Sequence, residues 1–253
     1  MFGWLRSRRA AREIPQALWL EALARYPFIS ALPAGELARL RALAGEFLGT
    51  KQFHGAREFV ITDEVALAIT VQAVLPVLHL GLHWYDDFVG IVVHRDEVLA
   101  RRTVQDDAGV VHHYREELAG EAMDGGPVMV NWHDVDRAGS TAERGYNVVI
   151  HEFAHKIDMR DGAPDGCPPL PSRAARQDWL AVVQAEYEAF REKVIIAERF
   201  GGEAPWLDAY GAQAIDEFFA VACEGYFVNP PRFAQEFPAL VALFDGFFKP
   251  KPA

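Results

Sequence analysis

Apolar residues recur at helical spacing along the first third of the chain. Their pattern predicts a helix over residues 17–25 and a second helix within "PAGELARLRALAGEFL", residues 33–48. A third helix is predicted through "EVALAITVQAVLPVLHLG", with Thr62 or Asp63 as its N-cap and its end near Gly81. The N-terminal part of the chain is therefore expected to be helical.

The middle of the chain changes to short runs of β-branched residues. Such runs occur in "FVGIVVH" at 88–94, in "GVVHHYRE" around Val110, and in "GPVMVNW" at 126–132, and turns containing Asp and Gly separate them. Runs of this length and composition are typical of strands. The sequence therefore predicts a small sheet in this region.

From Tyr146 onward the apolar periodicity is helical again. It predicts helices over residues 147–158, 172–199 and 211–227, with a loop rich in Pro and Gly after the first of them. Helices, then strands, then helices follow one another along the chain. This order favours an α+β fold with a small mixed sheet over a doubly wound sheet of alternating strands and helices.

Composition and charge narrow the class of protein. A chain of 253 residues with 51% hydrophobic residues can bury a sizeable core, and we interpret it as one domain. Its 25 Lys and Arg against 36 Asp and Glu give a formal net charge of -11. An extended nucleic-acid surface needs the opposite charge, so no nucleic-acid partner is expected.

The cysteines and the N-terminus bear on the compartment. Cys167 and Cys223 lack a CxxC spacing, so they indicate neither a disulfide framework nor a cysteine zinc site. The N-terminal "MFGWLRSRRAAREIP" is basic without the apolar core of a secretory signal, and no run reaches about 18 apolar residues. We therefore predict a cytoplasmic protein without stable membrane association. A membrane-surface helix over the first dozen residues is the alternative.

The stretch "NVVIHEFAHKIDMRDG", residues 147–162, carries the candidate chemistry. On a helix, His151 and His155 lie about 40° apart around the axis and about 6 Å apart along it, so both imidazoles can reach one metal ion. Glu152 points about 100° away from His151, near the ion without being forced to bind it. Zinc can hold and acidify a water in such a site, while the glutamate takes the proton as the water attacks a carbonyl. The apolar neighbours of the motif favour this interpretation over histidines satisfied in the core or at the surface.

A catalytic zinc takes three protein ligands and keeps one position open, so a third ligand is needed. Asp161 stands where the metzincin pattern places its last ligand, but that pattern requires a glycine at the position held here by Asp158. Asp161 is therefore a poor candidate. Asp158 shares the face of His151 and His155 and is a candidate acceptor for an imidazole N–H, or else a polar residue at the helix end.

The remaining candidates for the third ligand lie in "AYGAQAIDEFFAVACEGYF", residues 209–227. Glu217 and Glu224 are seven residues apart and fall on nearly the same face of an apolar helix. A buried carboxylate needs a cation, and the proposed zinc supplies one. Spacing cannot choose between the two glutamates, whereas local apolarity favours Glu217.

Three segments together resemble the Mlc titration factor A family of zinc-dependent peptidases: "YNVVIHEFAHKID", "DGAPDGCPPL" and "AYGAQAIDEFFAVACEGYFVNP". The zinc site of this family is similar to that of the anthrax lethal factor catalytic domain. The resemblance implies one Zn2+ per chain, bound by His151, His155 and Glu217, with Glu152 as the general base. It also implies that Tyr210 donates a hydrogen bond to the developing oxyanion or to the zinc-bound water.

The resemblance extends over most of the chain and sets the expected architecture. It implies a single zincin-like metallopeptidase domain of the gluzincin type over residues 1–253, with an N-terminal helical part over about 1–85 and a catalytic part over about 86–253. Two residues depart from the family pattern. Gly225 stands where an aromatic residue is expected, which predicts a looser helix end. Cys167 is either a plain loop cysteine or a fourth, inhibitory zinc ligand.

Two functions are compatible with these features. The first is a zinc peptidase that cleaves peptide bonds with an activated water, and the resemblance implies aminopeptidase-type cleavage of short peptides. The alternative is a regulatory protein that sequesters an Mlc-like transcriptional repressor, with or without peptidase activity. The strand in "GPVMVNWHDV" is either an edge strand that pairs with the peptide substrate or an ordinary core strand.

Overall fold

Ten α-helices and six β-strands make up the part of the chain that the computed structural model describes. The described residues are 11–96, 98–105, 111–118, 120–122, 125–162 and 164–250. The helices are α1 Gln16–Arg25, α2 Pro27–Ser30, α3 Ala34–Thr50, α4 Asp63–Ala73, α5 Trp132–Thr141, α6 Val148–Asp158, α7 Arg173–Phe200, α8 Ile215–Val228, α9 Pro230–Glu236 and α10 Pro238–Phe248. The strands are β1 Gln52–Gly55, β2 Gly90–His94, β3 Val98–Gln105, β4 Val111–Leu118, β5 Gly120–Ala122 and β6 Val128–Asn131.

The N-terminal helices follow the predicted pattern except at one end. The first two predicted helices are confirmed by α1 and α3. Helix α4 begins as predicted, because the Thr62 side chain accepts a hydrogen bond from the Val65 N–H at 3.2 Å. Its predicted end near Gly81 is wrong, since α4 ends at Ala73. Pro76 explains the early end, because proline lacks an N–H and disfavours helical backbone in the residue before it.

The strands form a mixed sheet of four strands in the order β1-β2-β6-β5. β1, β2 and β6 are parallel, and β5 runs antiparallel to β6. β3 and β4 pair with each other in a separate antiparallel ribbon. The predicted α+β class with a small mixed sheet is therefore confirmed. The substrate-edge role considered for the strand in residues 126–135 is wrong, because β6 is paired on both sides and β5 forms the edge.

Helix α6 is the central helix, packed between the sheet and helices α4 and α8. On its core side the Phe153 ring lies 5.0 Å from the Tyr85 ring centroid and 5.8 Å from those of Phe47 and Phe88. Removing a phenylalanine side chain from such a core typically costs about 3–5 kcal/mol. This packing fixes α6 and therefore fixes the residues on its opposite face.

Helix α8 runs without interruption through Gly225 to Val228, so the looser helix end predicted at Gly225 is not found. A Cβ atom at Gly225 would lie 2.7 Å from Leu207 Cδ2. Glycine at this position therefore lets Leu207 pack directly against α8.

Within the described ranges, no helix combines the length and apolarity that crossing a bilayer requires. The alternative of a membrane-surface helix concerns the first dozen residues, of which 1–10 lie outside the described part of the chain.

Candidate metal centre

Helix α6 begins at a well-defined cap that sets the position of the HExxH motif. The Asn147 side-chain oxygen accepts a hydrogen bond from the Ile150 N–H at 2.9 Å, which satisfies one of the free N–H groups of the first turn. The first histidine of the motif follows one residue after Ile150, so it lies one turn into the helix. The cap therefore fixes the positions on the helix from which both histidine side chains project.

Three potential ligand atoms converge beside α6. His151 Nε2 lies 3.2 Å from His155 Nε2 and 3.1 Å from Glu217 Oε2, and His155 Nε2 lies 3.3 Å from the same carboxylate oxygen. In tetrahedral zinc sites, bonds of about 2.0–2.1 Å place neighbouring ligand atoms about 3.3–3.4 Å apart. Two imidazole nitrogens and one carboxylate oxygen at these separations fit three corners of such a site. These three residues can hold a metal ion.

The two glutamates of α8 take opposite sides of the His151 ring. Glu217 faces Nε2, as described above, while Glu224 Oε1 lies 2.8 Å from Nδ1. Glu224 Oε2 accepts a hydrogen bond from the Asn147 backbone N–H. The Glu217 side chain is 20% exposed and that of Glu224 only 1%. Of the two candidates, Glu217 therefore lies with the converging atoms and Glu224 lies behind His151.

The pKa values of His151, Glu217 and Glu224 depend on one another. Burial acts to lower the pKa of His151, but hydrogen bonds to Glu217 and Glu224 outweigh burial and hold that pKa well above its usual value. Burial acts to raise the pKa of Glu217, but the imidazoles of His151 and His155 outweigh it and lower that pKa. Burial is the largest influence on Glu224 and raises its pKa. Hydrogen bonds and charge therefore link His151, His155 and the two glutamates into one buried group.

Glu152 lies buried beside the cluster and is 4% exposed. Burial raises its pKa to about 7. Its carboxylate lies against the edge strand β5, because a Cβ atom built on Gly120 would be only 2.4 Å from Glu152 Oε1. A side chain at residue 120 would therefore displace the Glu152 carboxylate.

Tyr210 lies on the other side of the same cluster. It belongs to the short 3-10 helix Ala209–Ala212, where Asp208 Oδ1 accepts a hydrogen bond from the Tyr210 N–H at 2.9 Å. The Tyr210 hydroxyl lies 3.4 Å from Glu217 Oε1, and its ring centroid lies 6.0 Å from that of His151. The hydroxyl therefore contacts the carboxylate oxygen that faces away from the histidines.

Three other residues weighed from the sequence lie outside the converging group. Asp161 is exposed on the 3-10 turn that follows α6. Asp158 Oδ2 accepts a hydrogen bond from the Gly166 N–H at 2.9 Å and not from an imidazole. Cys167 is buried, with its thiol 3.6 Å from the Pro168 carbonyl oxygen, and burial raises its pKa to about 11. A neutral buried thiol favours the plain loop cysteine over an inhibitory ligand.

Sequence reasoning missed three residues that contact the cluster or its supports: Gly120, Gln72 and Asn147. Gln72 is completely buried on α4 and carried one signal, since it is a lone amide in the apolar run "ALAITVQAVL". Asn147 carried another, because asparagine just before an apolar helix predicts an N-cap. Gly120 carried no signal, because its importance depends on the position of β5 next to α6.

Comparisons with known proteins place the chain in a family. The model of the family described as glucose-regulated metallo-peptidase M90 matches residues 2–249. The chain is 36% identical over 235 residues to the Mlc titration factor A of Edwardsiella ictaluri, covering 92% of this chain and 87% of the relative. The proteins of the same name from Serratia proteamaculans and Escherichia fergusonii are 34% and 35% identical, covering 93% and 96% of this chain and 88% and 90% of the relatives.

Proposed function

The chain belongs to the glucose-regulated metallo-peptidase family M90, and we propose that it is a zinc-dependent peptidase with a single zincin-like domain over residues 1–253. The observation that carries this proposal is the convergence of His151 Nε2, His155 Nε2 and Glu217 Oε2, which lie 3.1–3.3 Å from one another beside the buried Glu152. Three protein ligands next to a carboxylate match the needs of a hydrolytic zinc site, which keeps one position for water.

In this mechanism His151, His155 and Glu217 would hold the zinc. A bound zinc supplies Lewis acidity, which polarises a carbonyl and makes water a stronger acid. Glu152 orients the attacking water and takes its proton, and it then delivers that proton to the amine as the C–N bond breaks. The low exposure of Glu152 keeps bulk water from competing for this proton. No covalent bond forms between the protein and the peptide.

The edge strand β5 offers the peptide a place next to Glu152. The outer edge of β5 is not paired within the four-stranded sheet, and Gly120 on this strand contacts the Glu152 carboxylate. An extended peptide can add to such an edge through main-chain hydrogen bonds. We therefore assign the substrate-pairing role to β5, in place of the inner strand β6.

Gly120→Ala is expected to lower kcat by up to about 100-fold, because a misplacement of roughly 1 Å in a catalytic group can cost this much. The added methyl group would overlap the Glu152 carboxylate, whereas the three zinc ligands remain in place. Steady-state kinetics and metal analysis check this expectation. Gly246→Ala is the matched control, because a Cβ atom there meets nothing within 4 Å. A wild-type kcat in Gly120→Ala would contradict the position given to Glu152.

Tyr210→Phe is expected to lose about 2.7–4 kcal/mol of transition-state stabilisation, a fall of about 10²–10³-fold in kcat, if the hydroxyl donates to the developing oxyanion. Zinc content should be unchanged, because the Tyr210 hydroxyl lies against Glu217 Oε1 and not against Oε2, the oxygen that faces the histidines. Tyr187→Phe is the control, since its hydroxyl lies 3.3 Å from the Ala212 carbonyl oxygen and not at the cluster. Unchanged turnover in Tyr210→Phe would leave Tyr210 with a packing role only.

The proposed function is tested by metal analysis combined with a mixed peptide library. We expect about one zinc per chain, and hydrolysis that stops on chelation and returns when zinc is added. Aminopeptidase-type cleavage of short peptides is the finer proposal, supported by the family resemblance, and it requires products that lack only their N-terminal residues. Internal cleavage would overturn this finer proposal and leave the peptidase intact. Zinc-free protein without hydrolysis would overturn the peptidase itself.

A second candidate function is supported by the name that the relatives share, Mlc titration factor A. We propose on this ground that the chain also binds an Mlc-like transcriptional repressor. Titration calorimetry with the purified repressor, using wild type and Glu152→Gln, tests this binding. Equal affinity in both proteins is expected if binding is independent of hydrolysis, and the absence of binding in both would remove this function.

A further inference from the structure

A buried chain of hydrogen bonds connects helix α4 to His151. Asn147 Nδ2 donates to Gln72 Oε1 at 2.7 Å, and the Asn147 backbone N–H donates to Glu224 Oε2. Glu224 Oε1 in turn lies 2.8 Å from His151 Nδ1. Gln72 and Asn147 are completely buried, and Glu224 is 1% exposed. The chain therefore runs through the protein interior from α4, past the start of α6, to the imidazole.

The donor and acceptor roles in this chain are fixed by its outer contacts. Gln72 Nε2 donates to the Ala68 carbonyl oxygen at 2.9 Å, so Gln72 must present its oxygen to Asn147. Asn147 uses its own side-chain oxygen to cap α6 at Ile150, so it must present its amide nitrogen to Gln72. Neither amide can be reversed without losing a hydrogen bond in a place that water does not reach.

The fixed roles determine the state of His151. Glu224 as a carboxylate only accepts hydrogen bonds, and one of its oxygens is already occupied by the Asn147 N–H. His151 Nδ1 must therefore donate its proton to the other oxygen. In the neutral imidazole, which is the form that binds a metal, the lone pair is then on Nε2, the nitrogen that faces His155 and Glu217.

We propose that Gln72 and Asn147 are positioning residues for His151. They act through Glu224 and couple helix α4 to the metal centre. The inference rests on the proposed zinc site. Gln72 holds the Asn147 amide, Asn147 in turn holds the Glu224 carboxylate, and Glu224 sets the orientation and tautomer of the imidazole. Breaking the hydrogen bond at Gln72, the end of this network farthest from the metal centre, therefore lowers metal affinity even though Gln72 does not contact the metal ligands.

Zinc affinity, measured by competition with a chromophoric chelator, tests this coupling without relying on activity. Partners that orient a metal-binding histidine typically contribute about 10–100-fold to metal affinity. We expect Gln72→Leu, which keeps the side-chain size but removes the amide, to weaken zinc binding by about 10-fold. Asn147→Ser keeps a good helix cap and removes the amide donor, so we expect a similar loss. The double variant should bind zinc only slightly more weakly than either single variant, because both changes break the same series of hydrogen bonds.

Thr70→Val is the matched control. Thr70 is equally buried on α4, and its hydroxyl donates only within that helix, to the Ala66 carbonyl oxygen at 2.7 Å. It should lower the melting temperature of the metal-free protein as the other variants do, while leaving zinc affinity unchanged. A purely structural role for Gln72 would give the same pattern in Gln72→Leu.

Each outcome decides the inference. Wild-type zinc affinity in Gln72→Leu overturns it, and so do losses that add in full in the double variant. If Gln72→Leu does not fold, Asn147→Ser decides alone, and unchanged zinc affinity in that variant overturns the inference. If wild type itself binds no zinc, the proposed function has failed instead, so the two failures are distinguishable.

Discussion

Glu152→Gln is expected to bind about one equivalent of zinc and to hydrolyse peptides about 10²–10⁴-fold more slowly than wild type, the contribution typical of a positioned general base. Glutamine has the shape of glutamate but cannot take a proton from water near neutral pH. The three convergent ligand atoms belong to other residues, so the metal site is left intact. Metal analysis and kcat on the same preparation measure both parts of this expectation.

The control for Glu152→Gln is Glu192→Gln, which removes an exposed carboxylate on the long helix α7. It should leave zinc content and kcat unchanged. Activity close to wild type in Glu152→Gln would contradict the mechanism. Loss of zinc together with activity would instead show that Glu152 supports the metal site structurally.

Glu217→Ala is expected to lower zinc affinity by more than about 100-fold, because it removes a direct ligand and not a supporting group, whose loss typically costs about 10–100-fold. Glu224→Ala should fall within that smaller range, because Glu224 contacts His151 Nδ1 from behind. Chelator competition measures both affinities.

Asp161→Ala serves as the control for Glu217→Ala, because Asp161 is exposed and outside the converging group. It should bind zinc as wild type does. If Glu224→Ala instead loses more zinc affinity than Glu217→Ala, the third ligand has been assigned to the wrong glutamate.

The sequence predicted the long elements well because their signals are local. Helices α3, α6 and α7 have clear apolar periodicity, and α6 and α7 also have Asn147 and Ser172 as caps. The strand β5 was not predicted, because three residues with the sequence Gly-Glu-Ala carry no strand propensity. Such a strand exists only because β6 lies beside it. The end of α4 was also missed, since its apolar residues continue past Pro76.

Spacing alone could not choose between Glu217 and Glu224, for a geometric reason. Seven residues return a helix to nearly the same face, so both carboxylates point the same way, while about 10.5 Å separates them along the axis. The imidazole of His151 lies between the two levels and has one carboxylate beside each of its nitrogens. Which nitrogen faces the metal depends on how α6 and α8 pack, and that is a tertiary property.

The convergence of donors from α6 and α8 has a consequence for the folding equilibrium. An ion held by both helices acts as a reversible cross-link between segments that are distant in the chain, and unfolding releases it. Such binding adds about 2.7 kcal/mol to the free energy of unfolding when free zinc is 100 times Kd. With zinc bound as proposed, the lifetime of the folded protein in the cell would follow the supply of zinc, and metal limitation would lower both its amount and its activity.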